Sequence, residues 1–260
     1  MRVATWNVNG VRKRWEELCA WVAQERPDVL CLQEIKAAPE QVPEPLLGLP
    51  EHASYWHGAR GGYSGVSLHV RREAFGSEPA FGHPSFDREC RIVEAALGDL
   101  VVASVYVPNG RRDFEAKLRF LEALREHAAR LVGAGREVLI CGDLNVTREP
   151  RDVHEKERNA AAVGQRADER ARLEALLDEG LVDVGRALAP TDDGLFTWWA
   201  PWRSHRGRNI GWRLDYVLAT AGLAARARHG RVLRETGTSD HGPVVIDFES
   251  NPEWNSPMHV

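Results

Sequence analysis

Five short clusters in this chain close or open an apolar run with residues that can do chemistry. They are Trp6-Asn7-Val8-Asn9-Gly10, Leu32-Gln33-Glu34, Tyr106-Val107-Pro108-Asn109-Gly110, Gly142-Asp143-Leu144-Asn145, and the pair Arg213-Leu214-Asp215-Tyr216 with Ser239-Asp240-His241-Gly242. A carboxylate directly after an apolar strand, as at Glu34, can hold a hard divalent cation that keeps most of its waters. Asp143 and Asn145 stand two apart, hence on one side of an extended segment, where the acid can accept a proton from an attacking water and the amide can orient it. Tyr106 can donate a hydrogen bond to a phosphoryl oxygen. An Asp that fixes the tautomer of a His, as Asp215 would for His241, is the orienter and acid/base logic of hydrolytic sites. Each cluster alone also has a plainer reading: Asn-x-Asn-Gly and Asp-Leu-Asn are turn chemistry, a strand-end Glu can simply face solvent, and a tyrosine can close a core edge. Ser239-Asp240-His241 runs along one segment with no Gly-x-Ser-x-Gly elbow, which disfavours a serine hydrolase. Together the clusters offer carboxylates, amides, a phenol and an imidazole but no thiolate. That set suits Mg²⁺ or Mn²⁺ and metal-assisted attack of water on a phosphate ester.

Elements must bring these clusters together. Apolar runs bounded by turn residues predict strands at 2–6, 28–33, 53–57, 65–71, 91–97, 101–107, 137–142, 195–199, 214–218, 230–235 and 243–248. Helical periodicity predicts helices at 12–24, where Trp15, Leu18, Cys19 and Val22 share a face, at 114–132 and at 168–178. So many strands point to two packed sheets with helices outside, because each sheet then hides both of its faces. Segments 36–52, 147–167 and 200–211 read as long loops, and the last two adjoin the chemical clusters.

The 260 residues suffice for one large α/β domain, predicted over 1–250, with 251–260 as a flexible tail. No window of about 18 uncharged apolar residues exists and the N-terminus has no signal-peptide pattern, so the expectation is a cytoplasmic monomer with no membrane contact. Cys19, Cys31, Cys90 and Cys141 are far apart, form no Cys-x-x-Cys, and read as reduced thiols. A net charge of −4 argues against a protein that coats nucleic acid by bulk electrostatics, so any such contact must be local. Lys13, Lys36, Lys117 and Lys156 are the only lysines. The arginine excess suits bidentate phosphate contacts, and codon bias explains it equally well.

In order and spacing, WNVNG at 6–10, LQE at 32–34, YVPNG at 106–110, GDLN at 142–145, NIGWRLDY at 209–216 and TSDHGPV at 238–244 resemble one family. It is the exonuclease III family of abasic-site endonucleases, in the endonuclease/exonuclease/phosphatase superfamily, and the resemblance runs from Met1 to about Glu249. It implies a four-layered α/β sandwich of two mixed sheets flanked by helices. The implied reaction is Mg²⁺-dependent hydrolysis of double-stranded DNA 5′ to abasic sites, with 3′→5′ exonuclease action or trimming of blocked 3′ ends, Mn²⁺ being the alternative ion. Glu34 would be the principal metal ligand, Asn7 and Asn9 would support metal-bound water or phosphate, and Asp143, Asn145, Asp240 and His241 complete the implied metal network. Asp143 would activate water, Asn145 would position it, Tyr106 would stabilise the pentavalent transition state, and His241, held by Asp215, would contact a phosphate oxygen. Trp212 is similar to the aromatic that walls the abasic deoxyribose pocket, with Trp198 facing it. Arg111 and Arg112 resemble the loop that enters the duplex, while Arg203, Arg206 and Arg208 would track phosphates. Two departures stand out. A family Asn-Pro-Lys-x-Asn stretch is replaced by His154-Glu155-Lys156-Glu157-Arg158-Asn159, leaving only Asn159 as a counterpart for phosphate contact, and Gly242 replaces a frequent Cys. The rival readings are a related phosphodiesterase or phosphatase acting on another ester, such as a lipid or inositol phosphate, and a non-catalytic nucleic-acid-binding module, which would predict loss of one or more of Glu34, Asp143, Asp215 and His241, all of which are present.

Overall fold

The structure is a computed structural model that describes residues 1–49, 51–202 and 204–249. Its strands are β1 (Arg2–Asn7), β2 (Val29–Gln33), β3 (His52–His57), β4 (Val66–Arg71), β5 (Ala80–Gly82), β6 (Ile92–Leu97), β7 (Leu100–Tyr106), β8 (Glu137–Asp143), β9 (Leu181–Asp183), β10 (Asp215–Thr220), β11 (Ala227–Val232) and β12 (Val244–Phe248). They form two six-stranded sheets, ordered β11-β12-β1-β2-β4-β3 and β5-β6-β7-β8-β10-β9. Each sheet has one parallel pair, β1 with β2 and β7 with β8, and its other pairings are antiparallel. A parallel pair needs a long crossover. Helix α1 (Val11–Glu25) supplies the first, with the single-turn α2 (Glu44–Leu47) packed beside it, and α3 (Phe114–Gly133) supplies the second. Three further helices follow: α4 (Ala167–Leu177), α5 (Val184–Leu188) and α6 (Ala221–Ala224).

Period-two alternation along the strands creates the layers. One row from each strand, including Val3, Cys31, Leu68, Val102, Cys141, Val217 and Ile246, meets its counterparts between the sheets. The opposite rows bury under helices: Ala4, Trp6, Leu30 and Leu32 under Leu18, Trp21 and Val22 of α1, and Ala103, Val105, Ile140 and Leu218 under Leu121 and Leu124 of α3 and Leu173 and Leu176 of α4. Cys31 and Cys141 are buried, and all four thiols are free. Among the described residues no helix is long and apolar enough to cross a membrane.

Two segments differ from the sequence expectation. Residues 195–199 join neither sheet; Thr197 and Trp198 donate their amides to Trp212 O, and Trp199 to Asp240 O, so the segment zips two loops together. The expected strand at 230–235 lies instead at Ala227–Val232, a largely exposed edge strand whose polar sequence carries no alternation to detect. The short strands β5 and β9, three residues each, leave no periodic signal either. The expected tail and Arg203 lie outside the described residues.

The start of β10 is fixed by a buried charge cluster. The Arg213 guanidinium, 2% exposed, donates to both carboxylate oxygens of Asp152 (2.8 and 3.0 Å) and both of Asp183 (3.0 and 2.7 Å), and stacks 4.4 Å from the Tyr216 ring. Arg186 donates to the same Asp152 (2.7 Å). Replacing one member of a buried ion cluster leaves an uncompensated charge. Arg213→Met is therefore expected to lower unfolding free energy by about 3–5 kcal/mol, measured by urea denaturation. A loss within error of wild type would show the cluster to be dispensable.

Candidate active site

The rows that face the other sheet end in polar residues at one rim. Val3 and Thr5 lead to Asn7, Val102 and Ser104 lead to Tyr106, and Leu139 and Cys141 lead to Asp143. Because β10 runs antiparallel to β8, its first residue, Asp215, pairs with Asp143 at the same rim. Just below lies a buried polar ladder, in which Thr5 Oγ1 donates to Gln33 Oε1 (3.1 Å) and Gln33 Nε2 to Ser104 Oγ (3.1 Å). Gly142, at φ 149°, lets β8 pass β7 closely, since a Cβ there would lie 1.9 Å from Val105 O.

At the rim the wholly buried Asn7 carboxamide donates to Glu34 Oε1 and to Asp143 Oδ2, both at 2.9 Å. Potential ligand atoms of Glu34, Asp143 and His241 lie within 4.8 Å of one another. His241 Nδ1 lies 2.8 Å from Asp215 Oδ2, and its Nε2 lies 3.9 Å from Asp143 Oδ2. Burial opposes charge on His241, but Asp215, Asp143 and Asp240 outweigh it and raise its pKa to about 10. Burial pushes Asp143 up to about 7, helped by Asp215 and Glu34 and opposed by His241 and the Asn7 amide. Burial also raises the Tyr106 phenol, reinforced by the charges on Glu34 and Asp143, so it stays a proton donor. Glu34 is held below its ordinary range despite burial, because Lys36 and Asn7 stabilise its charge.

The structure also recruits side chains to which sequence reasoning gave no role. Lys36 Nζ sits 2.7 Å from Glu34 Oε2 and donates to Asn9 Oδ1 (2.6 Å). Thr197 Oγ1 donates to Asp215 Oδ2 (2.6 Å) and accepts from the amides of Leu214 and Asp215. Lys117, fully buried and paired with Glu169, donates to Asn145 O (2.7 Å) and Asn109 O (3.4 Å). The signal for two of the three was the scarcity of lysine: two of four sit here.

A pocket of about 180 Å³ opens over the rim, lined by Glu34, Asn109, Arg111, Asp143, Asn145, Val163, Gly164, Trp198, Trp212, Leu214, Asp240 and His241. Trp198 and Trp212 meet edge to face with centroids 5.5 Å apart, and Trp212 packs on Gly164, where a Cβ would lie 2.9 Å from its ring. Trp198 Nε1 donates to Asp240 Oδ2 (2.9 Å), while Asn9 Nδ2 donates to Asp240 Oδ1 (2.8 Å). Asp240 and Asn9 thus brace the pocket wall beside the group of Glu34, Asp143 and His241.

Several expectations meet a different geometry. Asn145 is not in an extended segment beside Asp143: its φ is 53°, and its amide returns to Asp143 Oδ1 (2.8 Å) in an Asx-type turn, which still brings the two side chains together. The side-chain oxygens of Asn7, Asn9 and Asn145 accept from Asn9 N, Lys36 and Asn109, so these amides hold the carboxylates in place. Arg206 is turned inward, with donors engaged by the carbonyls of Arg234, Thr236, Gly237 and Ser239. Asn159 is exposed, does not line the pocket, and uses its side chain to accept from Ala161 N. Arg111 lines the pocket, and Arg112 is exposed beside it.

In metal-free protein, Asp215→Asn is expected to bring the His241 pKa from about 10 down toward the ordinary imidazole value, read by NMR titration of the ring nitrogens. The sign follows from linkage. The pair's stabilisation is fully present below the unfolded imidazole pKa and is lost as pH rises through the folded value. An unshifted His241 titration would remove Asp215 from this role.

The sequence profile described as the Endonuclease/Exonuclease/phosphatase family matches residues 4–241. The chain is 32% identical over 254 residues to DNA repair nuclease APEX1 of Danio rerio, covering 95% of this chain and 81% of that protein. It is 31% identical over 252 residues to an exodeoxyribonuclease of Bacillus subtilis (strain 168), covering 95% and 98%. An AP endonuclease structure from Archaeoglobus fulgidus superposes with a TM-score of 0.85 at 30% identity, covering 96% of this chain and 99% of that one. Two mixed six-stranded sheets, a shared rim of acids and amides, and likeness along nearly the whole chain lead to one conclusion: the chain belongs to the exonuclease III and AP endonuclease family of the endonuclease/exonuclease/phosphatase superfamily.

Proposed function

We propose that the protein hydrolyses the DNA backbone 5′ to abasic sites and trims 3′ ends of duplex DNA in a Mg²⁺-dependent reaction. The observation that carries this reading is the clustering of Glu34, Asp143 and His241 within 4.8 Å beneath a pocket walled by Trp198 and Trp212. The donor set fits a hard divalent ion: four carboxylates (Glu34, Asp143, Asp215 and Asp240) face two cations (Lys36 and His241), which leaves the rim short of positive charge. Glu34 would hold the ion with Asp143 and His241 adjacent, and a bound Mg²⁺ would supply charge neutralisation on the phosphoryl and leaving oxygens. Mn²⁺ meets the same oxygen ligands.

The remaining chemistry belongs to the chain. Asp143, poised near neutrality, receives the proton of the attacking water, and the Asn145 amide orients that water. His241, held by Asp215, offers its Nε2 proton to a phosphate oxygen, and Tyr106 donates to another as negative charge gathers there. The tryptophan wall suits a deoxyribose without its base and leaves little room for a full nucleotide, and Arg111 and Arg112 stand where phosphates of a bound duplex can be met. A lipid or inositol ester would favour a basic headgroup pocket, whereas here carboxylates and indoles line the walls.

Incubation with a duplex bearing one abasic-site analogue, beside an intact blunt duplex, tests the reading. Incision at the analogue that requires Mg²⁺ is expected, and equal rates on both duplexes would overturn it. Glu34→Gln should slow incision by roughly two orders of magnitude or more, since metal-stabilised charge is worth several kcal/mol. Full activity of that variant at low Mg²⁺ would remove Glu34 from the ligand set. Trp212→Ala, once shown to be folded by circular dichroism, should narrow the preference for abasic over intact DNA, and an unchanged ratio would place selectivity elsewhere.

A further inference from the structure

A second group of side chains that could hold a metal lies where edge strand β3 of one sheet meets edge strand β5 of the other. Tyr55 on β3 stacks on Phe81 of β5, with centroids 5.7 Å apart. Beyond that contact, the ring of His57, the last residue of β3, stacks on that of His83, just after β5, with centroids 4.3 Å apart and planes 15° apart. Asp87, in the loop that follows, completes the group: one ligand atom from each of the three residues lies within 4.8 Å of the other two. None of them lines the pocket over Glu34 and Asp143.

We propose that His57, His83 and Asp87 bind one divalent transition-metal ion of the Zn²⁺ class, which cross-links the edges of the two sheets. Asp87 is already oriented for this: its carboxylate is buried and accepts from the backbone amides of Glu89, Arg91 and Ile92. His57 Nε2 lies 2.9 Å from Asp87 Oδ2. Tetrahedral ligands at about 2.0–2.2 Å from an ion stand roughly 3.3–3.6 Å apart, so the pair need part only by about half an ångström for the ion to replace the proton now shared between them. A neutral imidazole offers one acceptor nitrogen to a metal. His83 is exposed and can rotate onto the ion, while solvent fills the remaining position. Two imidazoles and one carboxylate select Zn²⁺, Ni²⁺ or Co²⁺ over Mg²⁺, which prefers oxygen ligands alone. Because the ion bridges two sheets, it binds the folded chain more tightly than the unfolded one and stabilises it by mass action.

The test uses full-length, tag-free protein stripped of metal and then held in excess Mg²⁺, with Zn²⁺ as the probe. Equilibrium dialysis counts bound Zn²⁺, and a thermal melt reads its effect on stability. Wild type is expected to bind one equivalent more than His83→Ala, and to gain a rise in melting midpoint that the variant lacks. His57→Gln, on the other sheet, is expected to behave as His83→Ala does, and the metal-free melts of all three proteins confirm folding. Equal Zn²⁺ uptake and equal melting shifts in wild type and variants would overturn the proposal, independently of any result on DNA cleavage.

Discussion

The Asn7 carboxamide is the contact on which the rim depends. One wholly buried NH₂ group donates to Glu34 from its own sheet and to Asp143 from the other, joining two carboxylates across the inter-sheet seam. Without a shared donor, two partly desolvated acids at this distance would repel each other or take up protons. The amide carries no net charge, so it positions the acids without neutralising them. Asp215, with Asp143 and Asp240, then holds the His241 imidazolium against its burial, and Glu34 draws the Lys36 ammonium. A site that remains rich in negative charge and is braced from both sheets is suited to a small, highly charged cation.

Much of this was legible in the sequence because period-two alternation carries information across distance. A row that packs between two sheets must end somewhere, and at Asn7, Tyr106, Asp143 and Asp215 the apolar row gives way to polar residues at its mouth. The layered fold followed from the number of apolar runs and their alternation with helical stretches. What the sequence hid is whatever depends on a loop's path. Thr197 reaches Asp215 only because residues 195–199 leave the sheets and run between Trp212 and Asp240. Strand β11 is polar and exposed, so no periodicity marks it. Arg206 is of the right residue type for phosphate contact, but backbone carbonyls of the loop before His241 engage its donors.

The fate of the arginines follows the same logic. An arginine-rich chain of net negative charge suggested either phosphate contacts or codon bias, and the structure shows a third use. Arg213 and Arg186 satisfy buried carboxylates, Arg206 gathers the carbonyls of the loop before His241, and Arg170 donates to Thr147 beside the pocket. A planar fork with five donors can hold more irregular carbonyls at once than the three donors of a lysine. Lys117, fully buried on α3 and paired with Glu169, reaches the carbonyls of Asn109 and Asn145. Together these cations let long loops keep a fixed shape around the rim without the regular ladder of a sheet.

Asn9, Glu34, Lys36 and Asn145 all adopt left-handed backbone, with φ between 45° and 53°. Asparagine tolerates that region, but for Glu34 and Lys36 it is a strained choice worth on the order of 1 kcal/mol each. Glycine would relieve the strain and abolish the charge. Selection for thermal resistance alone would therefore favour glycine or asparagine at 34 and 36, trading the carboxylate and the ammonium of the rim for an easier backbone. A lineage that kept Glu and Lys at these two positions would thus carry a record of selection for the charge of the rim, legible from its sequences alone.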